Sequence, residues 1–112
     1  VVTTFENGWS SYSSTNQVAY YKDPSGVVHL QGAIAGGTLT ESAFTLPPGF
    51  RPDAEYAYFS PLSTGGSNNP ALSELLLYGA FYAETPSLDG LVVPYVGSNV
   101  YFSLDGVSFR GA

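Results

Sequence analysis

The chain has 112 residues, enough for one domain with a real core and too few for two of ordinary size. Charged residues make up 11% and aromatic residues 15%, with 13 Gly, 8 Pro and no sustained helical period, so the composition argues against a disordered segment and for an all-β class. Three basic residues against nine acidic ones leave a net charge of −6; Lys22, Arg51 and Arg110 are scattered, which argues against nucleic acid and against an anionic membrane surface as partners.

The chain contains no cysteine and no methionine. Disulfide staples, thiolate chemistry and cysteine metal sites are therefore absent. Such a chain suits a particle that endures oxidising surroundings. No apolar run approaches the ~18 residues of a spanning helix, so no membrane insertion is expected. The N-terminus lacks the basic region and apolar core of a signal peptide.

Residues 1–17 read as a linker or an edge segment leading into a single domain over 1–112. Asn7-Gly8 is a turn signal, followed by the only tryptophan, Trp9. Residues 18–22 and 27–31 favour strands, and Asp23-Pro24-Ser25-Gly26 between them predicts a β-hairpin. Pro24 presets φ, the Asp23 side chain can bond the backbone ahead, and Gly26 tolerates a left-handed exit. Val28, Leu30 and Ile34 share an apolar face; Val27, His29, Gln31 and Ala33 share a mixed one. Gly36-Gly37 turns the chain into a third strand over 38–46, whose mixed faces predict a bulge. Three prolines within 46–52 predict a rigid corner with Phe50 tucked inward.

After a bend at 53–55, residues 56–60 read as a strand closed by Pro61. Residues 63–70, STGGSNNP, are the most loop-like of the chain. Residues 71–83 carry leucines that could suit a helix, but Gly79 and Tyr78-Ala80-Phe81-Tyr82 favour one long strand or two short ones. In a strand, Leu75, Leu77, Gly79 and Phe81 face one way, and Leu76, Tyr78, Ala80 and Tyr82 the other. Both faces are then apolar. A small two-layer domain covers only one of them, and a neighbouring subunit is the simplest cover for the second. A turn over 84–90 leads to Leu91-Val92-Val93, stopped by Pro94. Gly97-Ser98-Asn99 reads as a hairpin loop, 100–104 as a strand, and Asp105-Gly106 as a two-residue hairpin turn into 107–110. About eight short strands at regular spacing predict an antiparallel β-sandwich, jelly-roll-like in outline.

The residues carry no constellation for catalysis. A glycosidase needs two positioned carboxylates, but Asp23, Asp53, Asp89 and Asp105 all occupy turn positions, where turn chemistry accounts for them. His29 is the only histidine, and without cysteine a zinc site would draw nearly every ligand from carboxylates. A strand histidine that packs on a neighbour or marks a subunit interface is the plainer reading. No serine stands in a Gly-x-Ser-x-Gly elbow, and the diglycines lack the lysine and helix of a phosphate loop. The chain therefore reads as a non-enzyme with no cofactor and no metal. Its one functional hint is aromatic. Trp9, Tyr12, Tyr56, Tyr58, Tyr82 and Tyr95 could offer flat faces to sugars or anchors to a protein receptor, against the plainer reading that most fill the core and subunit contacts. The expected ligand contacts are Trp9, Tyr12, Tyr56 and Tyr58, with Asn68 and Asn69 of the loop. The expected subunit contacts are His29, Leu76, Tyr78 and Tyr82.

Gly8-Trp9, Val18-Ala19-Tyr20-Tyr21-Lys22-Asp23, and Gly26-Val27-Val28-His29-Leu30-Gln31-Gly32 resemble a C-terminal domain of bacteriophage tail fibres and related tail proteins. The likeness continues through Gly36-Gly37-Thr38, Phe44-Thr45-Leu46-Pro47-Pro48-Gly49-Phe50-Arg51-Pro52 and the terminal residues 100–110. Residues 53–95 depart from it, as a receptor-binding surface would. The resemblance implies a β-sandwich head at a fibre tip, a parallel homotrimer, extracellular on the virion, attaching to a bacterial surface glycan or protein receptor. Two further readings stand beside it: a purely structural trimerisation cap that registers and protects the fibre end, and a detached carbohydrate-binding module. A tailspike fragment that cleaves polysaccharide would need two carboxylates converging in one groove.

Overall fold

The computed structural model describes residues 2–65, 70–80 and 89–112. Among them there is no helix, and the chain is all-β, with short antiparallel strands in three sheets. The five-stranded sheet runs β1 (Ser10–Ser11), β4 (Ala33–Ala35), β11 (Tyr101–Ser103), β7 (Ser63–Thr64), β8 (Pro70–Ala71). The four-stranded sheet runs β5 (Phe44–Thr45), β10 (Leu91–Val96), β9 (Glu74–Tyr78), β6 (Tyr56–Phe59). The three-stranded sheet runs β12 (Ser108–Arg110), β3 (Val27–Gln31), β2 (Ala19–Lys22).

The predicted hairpin forms as its turn residues dictate. Asp23 Oδ1 accepts from the Ser25 and Val27 backbone N–H groups at 3.0 Å each, and Gly26 takes φ +91°. Lys22 then pairs with Val28 and Ala19 with Gln31. Asn7-Gly8 forms the tight turn expected of it: φ is positive at both residues, 55° and 83°, and Trp9 N–H donates to Glu6 O at 3.1 Å. Phe50 is tucked against the core, edge-on to Tyr20 with ring centroids 5.1 Å apart. Residues 74–78 form a strand rather than a helix.

The three-stranded and five-stranded sheets share one bent ladder. β3 and β4 are separated by Gly32 alone, and their partners are β12 and β11 in the same order. Gly32 has φ +97°, and a Cβ there would lie 2.6 Å from the Gln17 carbonyl oxygen, so no larger residue fits. Its N–H meets no carbonyl across the bend and donates instead to Asp105 Oδ1 at 2.8 Å. Its carbonyl accepts from Leu104 N–H at 2.8 Å, and Leu30 N–H donates to Val107 O at 2.9 Å. Asp105-Gly106 is thus the outer turn of a corner and not a two-residue hairpin: β11 and β12 lie in different sheets. Gly97-Ser98-Asn99 also corrects its hairpin reading, because β10 and β11 belong to different sheets. Asn99 Nδ2 donates to Gly37 O at 3.0 Å and holds that crossing in place.

Two other strand expectations are corrected. Residues 38–41 turn, with Glu41 N–H donating to Thr38 O at 3.3 Å and Thr40 at φ 72°, so only Phe44–Thr45 pairs. Pro94 does not stop its strand. Its carbonyl accepts from Thr40 N–H at 2.9 Å, on the side where β5 has already ended, so the missing prolyl donor costs no ladder bond. The register shifts between Pro94 and Val96. Residues 2–9 are no linker: Val2 N–H donates to Val18 O at 2.7 Å, Glu6 N–H to Ala43 O at 2.8 Å, and Phe5 packs edge-on to Phe44. Only β1 keeps the edge character expected of the segment.

The core draws on all three sheets: Val28 and Leu30, then Ile34 and Phe102, then Phe44, Leu75, Leu77 and Val92. The corner orients these faces toward one another. Gly32→Ala should cost at least about 2 kcal/mol in urea unfolding, through positive φ and backbone clash. Asp105→Ala should cost about 1–3 kcal/mol by orphaning the Gly32 N–H, while Asp105→Asn, which keeps an acceptor, should lose less.

Candidate functional site

The four-stranded sheet has one face in the core and one turned outward, as the two-residue period of a strand requires. On β9, Leu75 and Leu77 point into the core and are fully buried. Leu76 and Tyr78 point out. The register sets Tyr58 beside Leu76, Tyr56 beside Tyr78, and Val93 on the other side of Leu76. Leu76 is only 7% exposed and Val93 5%, although both lie on the outer face. Tyr58 flanks Leu76 across the ladder. Tyr56, Tyr58, Tyr78 and Tyr95 line, with Leu76 as floor, a groove of about 330 Å³. Tyr56 and Tyr58 stand two residues apart on β6, an edge strand of the sheet, with rings edge-on at 5.4 Å. Tyr56, Tyr58 and Tyr95 are each about half exposed, at 47%, 57% and 46%.

This arrangement revises the expected site in both directions. Trp9 is a core residue, 3% exposed: its Nε1–H donates to Thr38 O at 3.1 Å, and Gly37 lies so close to the indole that a Cβ there would fall 2.2 Å from it. It offers no face to a ligand. Tyr12 is half exposed but lies edge-on to Tyr101 at 4.8 Å, away from the groove lining. Asn68, Asn69 and Tyr82 lie outside the described residues. Tyr56 and Tyr58, two of the expected ligand contacts, lie side by side on the groove. Tyr78, expected at a subunit contact, joins them, as does Tyr95. Leu76, also expected there, is buried within its own chain. Leu76 is thus out of water without a neighbouring subunit.

His29, the remaining expected subunit contact, is held inside its own hairpin. It pairs in register with Tyr21, whose ring stacks on it at 4.9 Å and 18°, and its Nε2–H donates to Asp23 Oδ2 at 2.9 Å. Asp23 also accepts from Ser25 Oγ at 2.7 Å. The Ser25 hydroxyl first, then His29 and the Val27 N–H, hold the Asp23 carboxyl well below its ordinary value of 3.8. These contacts serve the turn. Among the described residues no three His, Asp or Glu side chains gather as metal ligands would. Among the described residues the groove lining is aromatic and aliphatic.

Comparison with protein-family models, with curated proteins and with solved structures returned no match.

Two measurements check these placements. Trp9 fluorescence should be blue-shifted and poorly quenched by iodide in the native protein; ready quenching would contradict its burial. A group whose folded pKa is depressed contributes stability above its unfolded pKa and loses it as pH falls. Asp23 should therefore support the fold fully at neutral pH and progressively less below about pH 4. Asp23→Asn should flatten that part of the stability–pH curve, measured by thermal unfolding from pH 7 to pH 2.

Proposed function

We propose that the chain is a β-sandwich fibre-tip module that attaches a phage-tail-type particle to a bacterial surface, without catalysis, by binding surface glycan in the tyrosine groove. The groove carries this reading. Rigid, half-exposed tyrosines on a sheet give a large contact area at small entropic cost. Their ring faces suit the C–H faces of sugars and their hydroxyls suit sugar hydroxyls. All four groove tyrosines also fall within 53–95, the stretch that departs from the resemblance to tail-fibre domains.

In this reading the three sheets form a jelly-roll-like sandwich, the module assembles as a homotrimer, and it resides on the virion outside the cell. The groove is left free for ligand, so subunit contact falls elsewhere. Leu62 and Leu72 support an assembly surface: they are 57% and 85% exposed, and the Ser63–Ala71 pairing sets them opposite one another. The same pair favours a second reading, a structural trimerisation cap with no ligand of its own.

Light scattering should give a mass near three times 11.8 kDa; a monomer would remove the trimer from the proposal. Tyr58→Ala should weaken binding to bacterial surface polysaccharide about tenfold at unchanged mass, the scale of one lost aromatic contact. Binding that is absent in the native protein, with a trimeric mass, would favour the structural cap.

A further inference from the structure

We infer that the tyrosine groove takes an uncharged sugar chain and rejects acidic ones, an inference that rests on the glycan-attachment reading. Among the described residues the lining holds Tyr56, Tyr58, Leu76, Tyr78 and Tyr95 and no cation. The three basic residues of the chain are placed elsewhere. Lys22 Nζ donates to Gly49 O at 3.0 Å, Arg51 Nε donates to Leu46 O at 2.7 Å, and Arg110 lies on β12 of the three-stranded sheet. A uronate or phosphate entering the groove would meet no guanidinium or ammonium, and acidic-sugar recognition relies on such charge-assisted pairs. It would instead meet the electron-rich faces of four tyrosines.

The surrounding charge adds to this. Glu55 precedes Tyr56 and is exposed, and Glu74 opens β9 two residues before Leu76, on the same outward face. The chain as a whole carries −6. A polyanion is thus repelled at a distance as well as unpaired on contact. A cationic sugar fares better electrostatically, yet neither glutamate lines the groove, so among the described residues no carboxylate completes a cage around an ammonium group. An apolar floor at Leu76, open tyrosine walls and a volume of about 330 Å³ fit a short stretch of neutral sugar rings.

The test uses the native protein on an array of neutral polysaccharides (mannan, dextran, galactomannan), acidic ones (alginate, hyaluronan) and cationic chitosan. Binding should be confined to neutral chains and should change less than about twofold between 0.05 and 0.5 M NaCl, since no ion pair is screened. Tyr58→Ala should lose about tenfold, and Tyr58→Phe, which keeps the ring, less than about threefold. Tyr95→Arg should bring acidic chains onto the array. Preference of the native protein for alginate, hyaluronan or chitosan, or steep loss of binding with salt, would overturn this inference and leave the attachment reading standing. Binding to no member of the array would overturn the attachment reading itself.

Discussion

The hydrogen bond from the Gly32 N–H to the Asp105 carboxylate is the constraint on which the fold turns. A ladder of two antiparallel strand pairs cannot bend sharply and keep every carbonyl in line. One donor is left over at the bend, and burying it unpaired would cost about 1–3 kcal/mol. Asp105 supplies the missing acceptor from a side chain, at 2.8 Å. Gly32 supplies the conformation, φ +97°, and the absence of a Cβ against Gln17 and Val18. Because these two conditions are met at one place, β3–β4 and β11–β12 can each serve two sheets, and Val28, Ile34 and Phe102 reach a common core.

That corner determines what remains for the four-stranded sheet. Its inner face is covered by the core, and its outer face has no further layer among the described residues. Leucine is needed at 75 and 77, and the chain also places Leu76 between them, pointing out. A two-layer domain answers such an outward leucine either with a partner or with its own side chains. Here tyrosine stands beside it: Tyr58 pairs with Leu76 in register, and Tyr56, Tyr58, Tyr78 and Tyr95 line the groove whose floor is Leu76. The consequence of surrounding Leu76 this way is an aromatic surface, with three tyrosines about half exposed around one groove.

Local chemistry was legible in the sequence where a few adjacent residues decide the outcome. The Asp23-Pro24-Ser25-Gly26 and Asn7-Gly8 turns, the inward Phe50 and the strand at 74–78 all followed from propensity, turn type and period. Pairing partners did not. Asp105-Gly106 and Gly97-Ser98-Asn99 reverse the chain as turn residues should, but nothing within a turn states that its flanking strands enter different sheets. Pro94 misled for a related reason. A proline ends a strand only where its N–H is needed, and that depends on where β5 stops. Trp9 followed the same logic. Its burial depends on Gly37 and Thr38, roughly thirty positions away, and no local pattern announces that contact. At the site, Tyr56 and Tyr58 were visible as a pair on one strand face. Tyr95 lies two residues beyond the outward Val93, but which face of that strand is outward depends on its pairing with β9, which the strand's own sequence does not state.

The placement of the groove along the chain bears on how such a surface can change. The corner and its ladders are built from residues 27–35 and 101–110, and the groove from residues 56–58, 76–78 and 95. Within the groove strands the period of two separates the tasks again: Ala57, Leu75, Leu77 and Val92 face the core, and Tyr56, Tyr58, Leu76 and Tyr78 face out. Replacing an outward tyrosine leaves the inward contacts of its neighbours in place, so a new contact surface costs the frame little, provided that Leu76 stays covered. Leu76 is the residue that ties the two tasks together. A variant surface that strips its cover exposes an aliphatic side chain in the middle of a sheet, so substitutions around it that keep aromatic or long aliphatic side chains cost the frame least.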